Sequence, residues 1–324
     1  MVSHQMNKLI IISGPTASGK TKTSIELAHK IESMLKMKCL IINFDSLLFY
    51  KEISIGTAKP SMIERQGIDH AMIDIESINN PLNASDYIDR AQSIIVDCMK
   101  KEICPILVGG SAFYLRALLK GMYETGEASS EATNEVEKIY KEQGIGPILD
   151  YLKLNDPDAL GLLHVNDHYR LMRAAIHHKS SNQKISDQKK IADQNNPYDF
   201  ESNKHHWKLL HIYLDLPKDE HFEIIKKRTQ RMFQDGLLDE IESLIAQGFN
   251  LSEKPLGSIG YKEAIELRMG QFQSQRDCIE RISISTRQLA KSQRTFFKKI
   301  TPKLLFNPLT DQDKIFSSVE QFLS

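Results

Sequence analysis

The residues with the plainest chemical meaning form one run near the amino terminus, Gly14-Pro15-Thr16-Ala17-Ser18-Gly19-Lys20-Thr21. It satisfies the spacing GxxxxGK[ST], in which backbone N–H groups wrap around phosphate oxygens. Gly14 and Gly19 let the chain turn tightly enough for those amides to point inward, and a helix starting there adds its positive end. Lys20 brings a mobile cation, and the Thr21 hydroxyl is the expected ligand of a phosphate-bound Mg²⁺. A bound polyphosphate is therefore expected. The loop alone leaves three chemistries open: ATP hydrolysis, phosphoryl transfer to an acceptor, and displacement of pyrophosphate.

Further candidates lie scattered along the chain. Asp45, followed by Ser46, ends the second apolar run, where a carboxylate can take a proton from a nucleophile, hold Mg²⁺ through water, or simply cap a turn. Thr57 and Lys59 sit in the stretch Ile53 to Pro60, just after it. The Gly109-Gly110-Ser111 turn permits close backbone approach to a ligand or starts a helix. Arg228, with Arg231, lies on a helix after the fourth apolar run and can either neutralise a leaving group at the phosphate loop or remain solvated. The cluster from His164 to Arg173, continued by His177, His178 and Lys179, has no matching set of carboxylates or cysteines, so an RNA-contact or capping role is preferred to a metal site.

Charge adds a separate signal. The 42 Lys+Arg cancel the 42 Asp+Glu, which argues mildly against a strongly basic nucleic-acid binder. Yet Arg281 to Lys303 carries seven basic residues and no acidic one. Arg287, Lys291, Arg294 and Lys298 are spaced by four, three and four, which aligns them on one helix face as a stripe for a phosphate backbone. A solvated helix face is the competing reading.

Regular elements must position these groups. Four short, β-branched runs, Lys8 to Ser13, Cys39 to Phe44, Ile103 to Val108 and Leu209 to Leu214, alternate with helical periodicity, which predicts parallel strands covered by helices. The expected fold is α/β: a P-loop NTPase-like parallel sheet core, an inserted all-helical domain and a helical C-terminal part. The core should span 1–120 and 205–324, with the insertion at 121–204. Within the insertion, helices are expected at 124–142, 149–154 and 165–178, followed by a polar, mobile surface loop at 181–206. Helices at 219–233, 237–247, 261–269 and 275–299 follow, the last stopped by Pro302. Four cysteines without CxxC pairing suggest neither zinc nor disulfides. The longest apolar stretch near the N-terminus, Leu9 to Ile12, is too short to span a bilayer, so a soluble cytoplasmic protein is expected, with nothing calling for more than a monomer.

Taken in order, several segments resemble the bacterial tRNA dimethylallyltransferases, also called tRNA isopentenyltransferases. They are Gly14 to Thr21, Asp45-Ser46, Ile55-Gly-Thr-Ala-Lys-Pro60, His70-Ala-Met-Ile-Asp74, Leu107-Val-Gly-Gly110, His164-Val-Asn-Asp167 with Arg170, and Thr286 to Arg294. The resemblance implies transfer of a dimethylallyl group from dimethylallyl diphosphate to the exocyclic amine of the adenine 3′ of the anticodon, in tRNAs reading codons that begin with U. It implies a phosphate loop that holds the diphosphate donor rather than ATP, with Mg²⁺ assisting. Asp45 and Arg228 then become the catalytic pair. Asp45, Ser46, Leu47, Leu48, Ser111, Asn166, Asp167, Arg170, Arg287, Lys291 and Arg294 become contacts to the tRNA anticodon stem-loop. The chain departs from the usual pattern in placing Leu47-Leu48-Phe49 before Tyr50. Two rivals stand beside this reading: an ATP-dependent small-molecule or nucleoside kinase, and an RNA-binding switch without chemistry.

Overall fold

The apolar runs become strands because both of their faces are buried. In β1 (Lys8–Ser13), Leu9 and Ile11 enter one core and Ile10 and Ile12 another, so a run of consecutive isoleucines suits an interior parallel strand. Five more strands complete the sheet: β2 (Cys39–Asn43), β3 (Asp69–Ala71), β4 (Cys104–Gly109), β5 (Lys208–Leu214) and β6 (Leu304–Phe306). Their order is β3-β2-β4-β1-β5-β6, and every pair is parallel. The computed structural model describes residues 7–122, 129–194 and 196–324.

Helix α1 (Lys20–Lys30) follows β1 and packs Ile25, Leu27 and Ala28 on one face of the sheet. α2 (Ala84–Lys100) and α3 (Ala112–Lys120) cover the other with Tyr87, Ile95, Leu115 and Leu118. Asn83 and Asp86 form a reciprocal capping box that starts α2.

The chain divides into two compact units, Met1–Lys120 with Tyr198–Ser324, and Gly121–Pro197. The second unit is helical: α4 (Ser130–Gln143), α5 (Gly146–Asn155), α6 (Pro157–Leu162), α7 (His168–Ser181) and α8 (Ile185–Gln194). Its core gathers Val136, Ile148, Leu152, Leu171 and Ile176. The first residues of the expected acidic helix, 124–128, lie outside the described residues.

After β5 come α9 (Lys218–Gln234), α10 (Leu237–Ala246), α11 (Tyr261–Arg268) and the long α12 (Gln275–Lys299). The closing helix α13 (Gln312–Leu323) seats Ile315, Phe316 and Val319 beside α1. All four cysteines are free and buried. No described helix is long and apolar enough to cross a membrane.

Two expectations need correction. The stretch 181–206 is not simply a mobile loop, since it contains α8. That helix is fastened by Ser186, whose hydroxyl and amide both donate to the buried Asp156 carboxylate, at 2.6 and 3.1 Å. Further on, the Asn203 side chain donates to the Trp207 carbonyl at 2.9 Å and accepts from its amide at 3.0 Å, stapling a turn whose composition reads as loop. The division between units also falls at 197/198 rather than 204/205. Residues 198–204 join the sheet unit through Phe200, whose amide donates to the Thr301 carbonyl at 2.7 Å, and Thr301, whose amide donates to Tyr198 at 2.9 Å.

Candidate active site

Parallel strands put their carboxyl ends at one edge of the sheet, the place where open α/β sheets bind ligands. β1 delivers the phosphate loop, β2 delivers Asp45, β4 delivers Gly110-Ser111, and β5 delivers Asp215. A Cβ on Gly14 would lie 2.4 Å from the Leu214 carbonyl oxygen, so only glycine lets the loop leave β1 against β5. Gly19 has φ 80°, in the left-handed region that glycine enters freely, and hands the chain to α1 at Lys20. The Ser18 hydroxyl is buried in this loop without a protein partner. Thr21 opens the first turn of α1 in an exposed position.

Three charged side chains converge here. Lys20 donates to the Pro15 carbonyl at 2.8 Å. Burial lowers its ammonium to about 8, with Asp45 opposing that shift and Arg228 adding to it. Arg228 donates to the Thr16 hydroxyl at 3.2 Å and to the Thr57 carbonyl at 3.3 Å. Burial pulls its pKa down while Asp45 pulls it up. Of the two placements the sequence left open for Arg228, solvated or turned toward the loop, its contact with Thr16 matches the second.

Asp45 has two attachments to its surroundings. Its carboxylate caps the 3₁₀ turn Ser46–Phe49 by accepting from the Leu47 amide at 3.2 Å. Asn43 fixes its backbone, accepting from the Asp45 amide and donating to its carbonyl, both at 2.9 Å, while also donating to the Met72 carbonyl. Ser46, Leu47 and Leu48 ride half-buried on this turn, and Phe49 anchors it against Tyr87 and Tyr114 at ring distances of 5.6 and 5.8 Å. Ser111 is half-buried just before α3.

The Ile55 to Pro60 segment plays a supporting part. Lys59, 4% exposed, spans to Asp74 at 2.5 Å, joining two of the sequence segments singled out above. Glu240 in α10 accepts from the amides of Ser54 and Ile55 at 2.7 and 3.0 Å and from the Tyr261 hydroxyl. A carboxylate thus holds the loop whose Thr57 carbonyl holds Arg228. Neither Glu240 nor Asn43 carried any signal in the sequence: Glu240 acts on backbone atoms far away in the chain, and Asn43 ties the Asp45 backbone to the distant Met72 carbonyl.

The cationic stripe on α12 proves to be two surfaces. Lys291, Lys298 and Lys299 are exposed. Arg287 lies over the Phe222 ring at 5.2 Å, half-buried. Arg294, expected in the same outward row, turns inward to Asp215 at 2.8 Å and to His221 at 2.7 Å. Its neighbour Gln293 accepts from the Thr16 amide at 2.8 Å and donates to the Gly110 carbonyl at 2.9 Å, clamping two loops of the site together. Gln293 lies inside a segment quoted for its resemblance, yet only the fold shows what it grips.

The remaining expected residues belong to the helical unit. Asp167 caps α7 by accepting from the Arg170 amide at 3.2 Å, and Arg170 reaches back to it at 3.3 Å while staying exposed. Asn166 is exposed beside them. Two of the nearby histidines are engaged with protein groups: His168 with the Tyr140 hydroxyl at 2.9 Å and His178 with the Tyr151 hydroxyl at 2.8 Å. No group of three or more His, Cys, Asp or Glu among the described residues is arranged to hold a metal ion.

A family model described as IPP transferase matches residues 48–300. The chain belongs to that family. Among curated relatives of the family, a tRNA dimethylallyltransferase of Lactobacillus helveticus is 32% identical over 97% of this chain and 98% of its own length. One from a Hydrogenobaculum species is 34% identical over 90% and 92%. Solved structures agree. A full-length tRNA isopentenylpyrophosphate transferase from Bacillus halodurans superposes with TM-score 0.68 at 27% identity, covering 98% of this chain and 97% of the other. A eukaryotic dimethylallyltransferase caught acting on tRNA gives TM-score 0.75 at 26% identity, covering 97% and 77%. The IPP transferase fold is thus shared along nearly the whole chain.

Proposed function

We propose that this chain transfers a dimethylallyl group from dimethylallyl diphosphate to N6 of the adenine 3′-adjacent to the anticodon, in tRNAs that read codons beginning with U. The allylic C1–O bond breaks and the C1–N6 bond forms. Pyrophosphate leaves with the electron pair of the broken bond, and the N6 proton passes to Asp45.

One observation carries this reading beyond family membership: a single carboxylate stands opposite two half-buried cations at the mouth of a phosphate loop. An allylic carbon ionises readily once its diphosphate is neutralised, so Lys20, Arg228 and the amides of residues 14–21 act on the leaving group. The adenine amine is a weak nucleophile, and Asp45 accepts its hydrogen bond and then its proton.

Mg²⁺ fits the oxygen donors available. The exposed Thr21 hydroxyl and, through water, Asp45 would hold it together with diphosphate oxygens, since the described residues contain no ligand cluster that binds an ion by itself. Bound there, Mg²⁺ would neutralise charge on the departing diphosphate.

The target base must leave its stack in the anticodon stem-loop to reach the donor. Ser46, Leu47, Leu48 and Ser111 surround its point of entry, and Arg287 and Lys291 contact the phosphate backbone. Asn166, Asp167 and Arg170, in the helical unit, supply further contacts to the same stem-loop. No step calls on a second copy, so the enzyme works as a monomer on cytoplasmic tRNA. Incubation with tRNA, Mg²⁺ and labelled dimethylallyl diphosphate, with ATP omitted, should place label in the tRNA. Unlabelled tRNA after full incubation sinks the proposal, and labelling that requires ATP favours the kinase rival.

A further inference from the structure

Thr16, in the middle of the phosphate loop, is gripped at three atoms from outside the loop. Its amide donates to Gln293, its hydroxyl accepts from Arg228, and its carbonyl accepts from His221 Nε2 at 2.8 Å. The last contact fixes a proton. A carbonyl oxygen only accepts, so His221 Nε2 must carry hydrogen. A guanidinium only donates, so His221 Nδ1, 2.7 Å from Arg294 Nη2, must be bare. His221 is fully buried and has only this one neutral tautomer that satisfies both neighbours. Arg294 is in turn oriented by Asp215 at 2.8 Å and by the Leu216 carbonyl at 3.4 Å. The line Asp215, Arg294, His221, Thr16 thus runs from the end of β5 through α12 and α9 into the phosphate loop.

We infer that His221, held as this neutral tautomer, is a positioning residue that keeps the phosphate loop in its diphosphate-gripping shape. The inference rests on the reading of that loop as a diphosphate site. With its amide and carbonyl both engaged by helices, Thr16 cannot rotate a peptide toward the ligand. The amides that follow, from Ala17 to Thr21, keep a fixed aim, and Arg228 keeps a fixed anchor at the Thr16 hydroxyl. Preorganised donors of this kind are worth most because they need no rearrangement when charge arrives.

The arrangement also makes the loop sensitive to acid. The charged groups facing His221 are Arg294 from α12, Asp215 from the end of β5 and Lys20 from α1, and the Thr16 carbonyl faces it from the loop. Burial lowers the pKa most. The Thr16 carbonyl and Asp215 oppose this shift, while Arg294 and Lys20 add to it. Protonation at Nδ1 would set an N–H against the Arg294 guanidinium and break the line there. Below the ordinary histidine value the site should therefore loosen.

The test compares the full-length protein with His221→Gln and His221→Leu, using inorganic pyrophosphate with Mg²⁺ in calorimetric titrations and separate titrations with tRNA. A glutamine amide offers one donor and one acceptor at a spacing close to that of the imidazole nitrogens, and it does not protonate. Leucine offers neither. His221→Leu should weaken pyrophosphate binding about tenfold while tRNA affinity stays within about twofold, and His221→Gln should recover to within about threefold of the parent. As pH falls below the ordinary histidine value of about 6.5, the parent should lose affinity that His221→Gln retains. The inference is overturned if folded His221→Leu binds pyrophosphate like the parent, if folded His221→Gln falls as far as His221→Leu, or if parent and His221→Gln share one pH profile. Should His221→Leu not fold, the pH comparison of parent and His221→Gln decides alone. A parent that binds tRNA but no pyrophosphate removes the diphosphate reading itself, and the brace falls with it.

Discussion

Under the proposed function, Asp45 is structural and chemical at once. It caps a 3₁₀ turn and also faces two cations, so an alanine there removes two functions together. Asparagine keeps the capping oxygen and discards the base. Asp45→Asn should therefore lower kcat about 10²- to 10⁴-fold with tRNA affinity and thermal stability nearly unchanged. Comparable turnover by Asp45→Asn and the parent in single-turnover kinetics would remove Asp45 as the base. Lys20 gives a second prediction at this scale. Free, its ammonium titrates near about 8, and a bound diphosphate holds it charged. Binding must then take up protons around and above that pH, so affinity falls as pH rises through it. The unliganded fold responds in the opposite sense. Between about 8 and the unperturbed value of 10.5 the unfolded chain holds the extra proton, so stability rises with pH across that window. Calorimetry in two buffers of different ionisation enthalpy measures the uptake directly, and identical heats in both would contradict it. The tight turn from Gly14 to Thr21 between β1 and α1 was legible in the sequence because its glycine spacing dictates that turn. The partners of Thr16 were not, since His221 and Gln293 show their roles only once this loop, far away in the chain, is beside them.

Among the elements, α12 divides its work by face. The edge toward α9 carries Arg287 against Phe222 and Arg294 against His221, and Gln293 grips the phosphate loop. Lys291, Lys298 and Lys299 face outward. Residue spacing correctly aligns the four cations of the sequence stripe on a helix, but spacing along one helix carries no information about which neighbour covers its edge. The two groups should separate experimentally. Replacing Lys291 and Lys298 together by alanine should weaken tRNA binding and reduce its salt slope by about one unit per lost phosphate contact, with pyrophosphate affinity intact. An unchanged slope would take this face out of the tRNA interface. Short or polar elements explain the other surprises. β3 reads Asp-His-Ala and β6 has three residues, so neither shows the long apolar run that marks β1, β2, β4 and β5. α8 is polar for most of its length and is held by Ser186 on the buried Asp156 and by Lys190 on Asp158, contacts that composition does not reveal.

At the scale of the molecule, balanced charge conceals separation, since basic residues collect on α12 while the total remains zero. The two compact units also differ in what they bury. The sheet unit has extensive cores on both faces of its strands, whereas the helical unit relies on one small cluster around Val136, Leu152 and Leu171. Smaller cores unfold first. The single tryptophan, Trp207, is buried in the sheet unit and stacks on His205 at 4.0 Å, so its fluorescence reports that unit alone. Far-ultraviolet circular dichroism should begin to fall at a lower temperature than the Trp207 signal changes, and coincident curves would show a single cooperative unit instead. The four buried cysteines offer a further, chemical view of the same unit. Cys39, Cys98, Cys104 and Cys278 all lie within it, and burial pushes the Cys98 and Cys278 thiols up to about 11 and about 12. The native chain should accordingly be silent toward alkylating reagents at neutral pH, and its rate of modification becomes a clock that ticks only when the sheet opens.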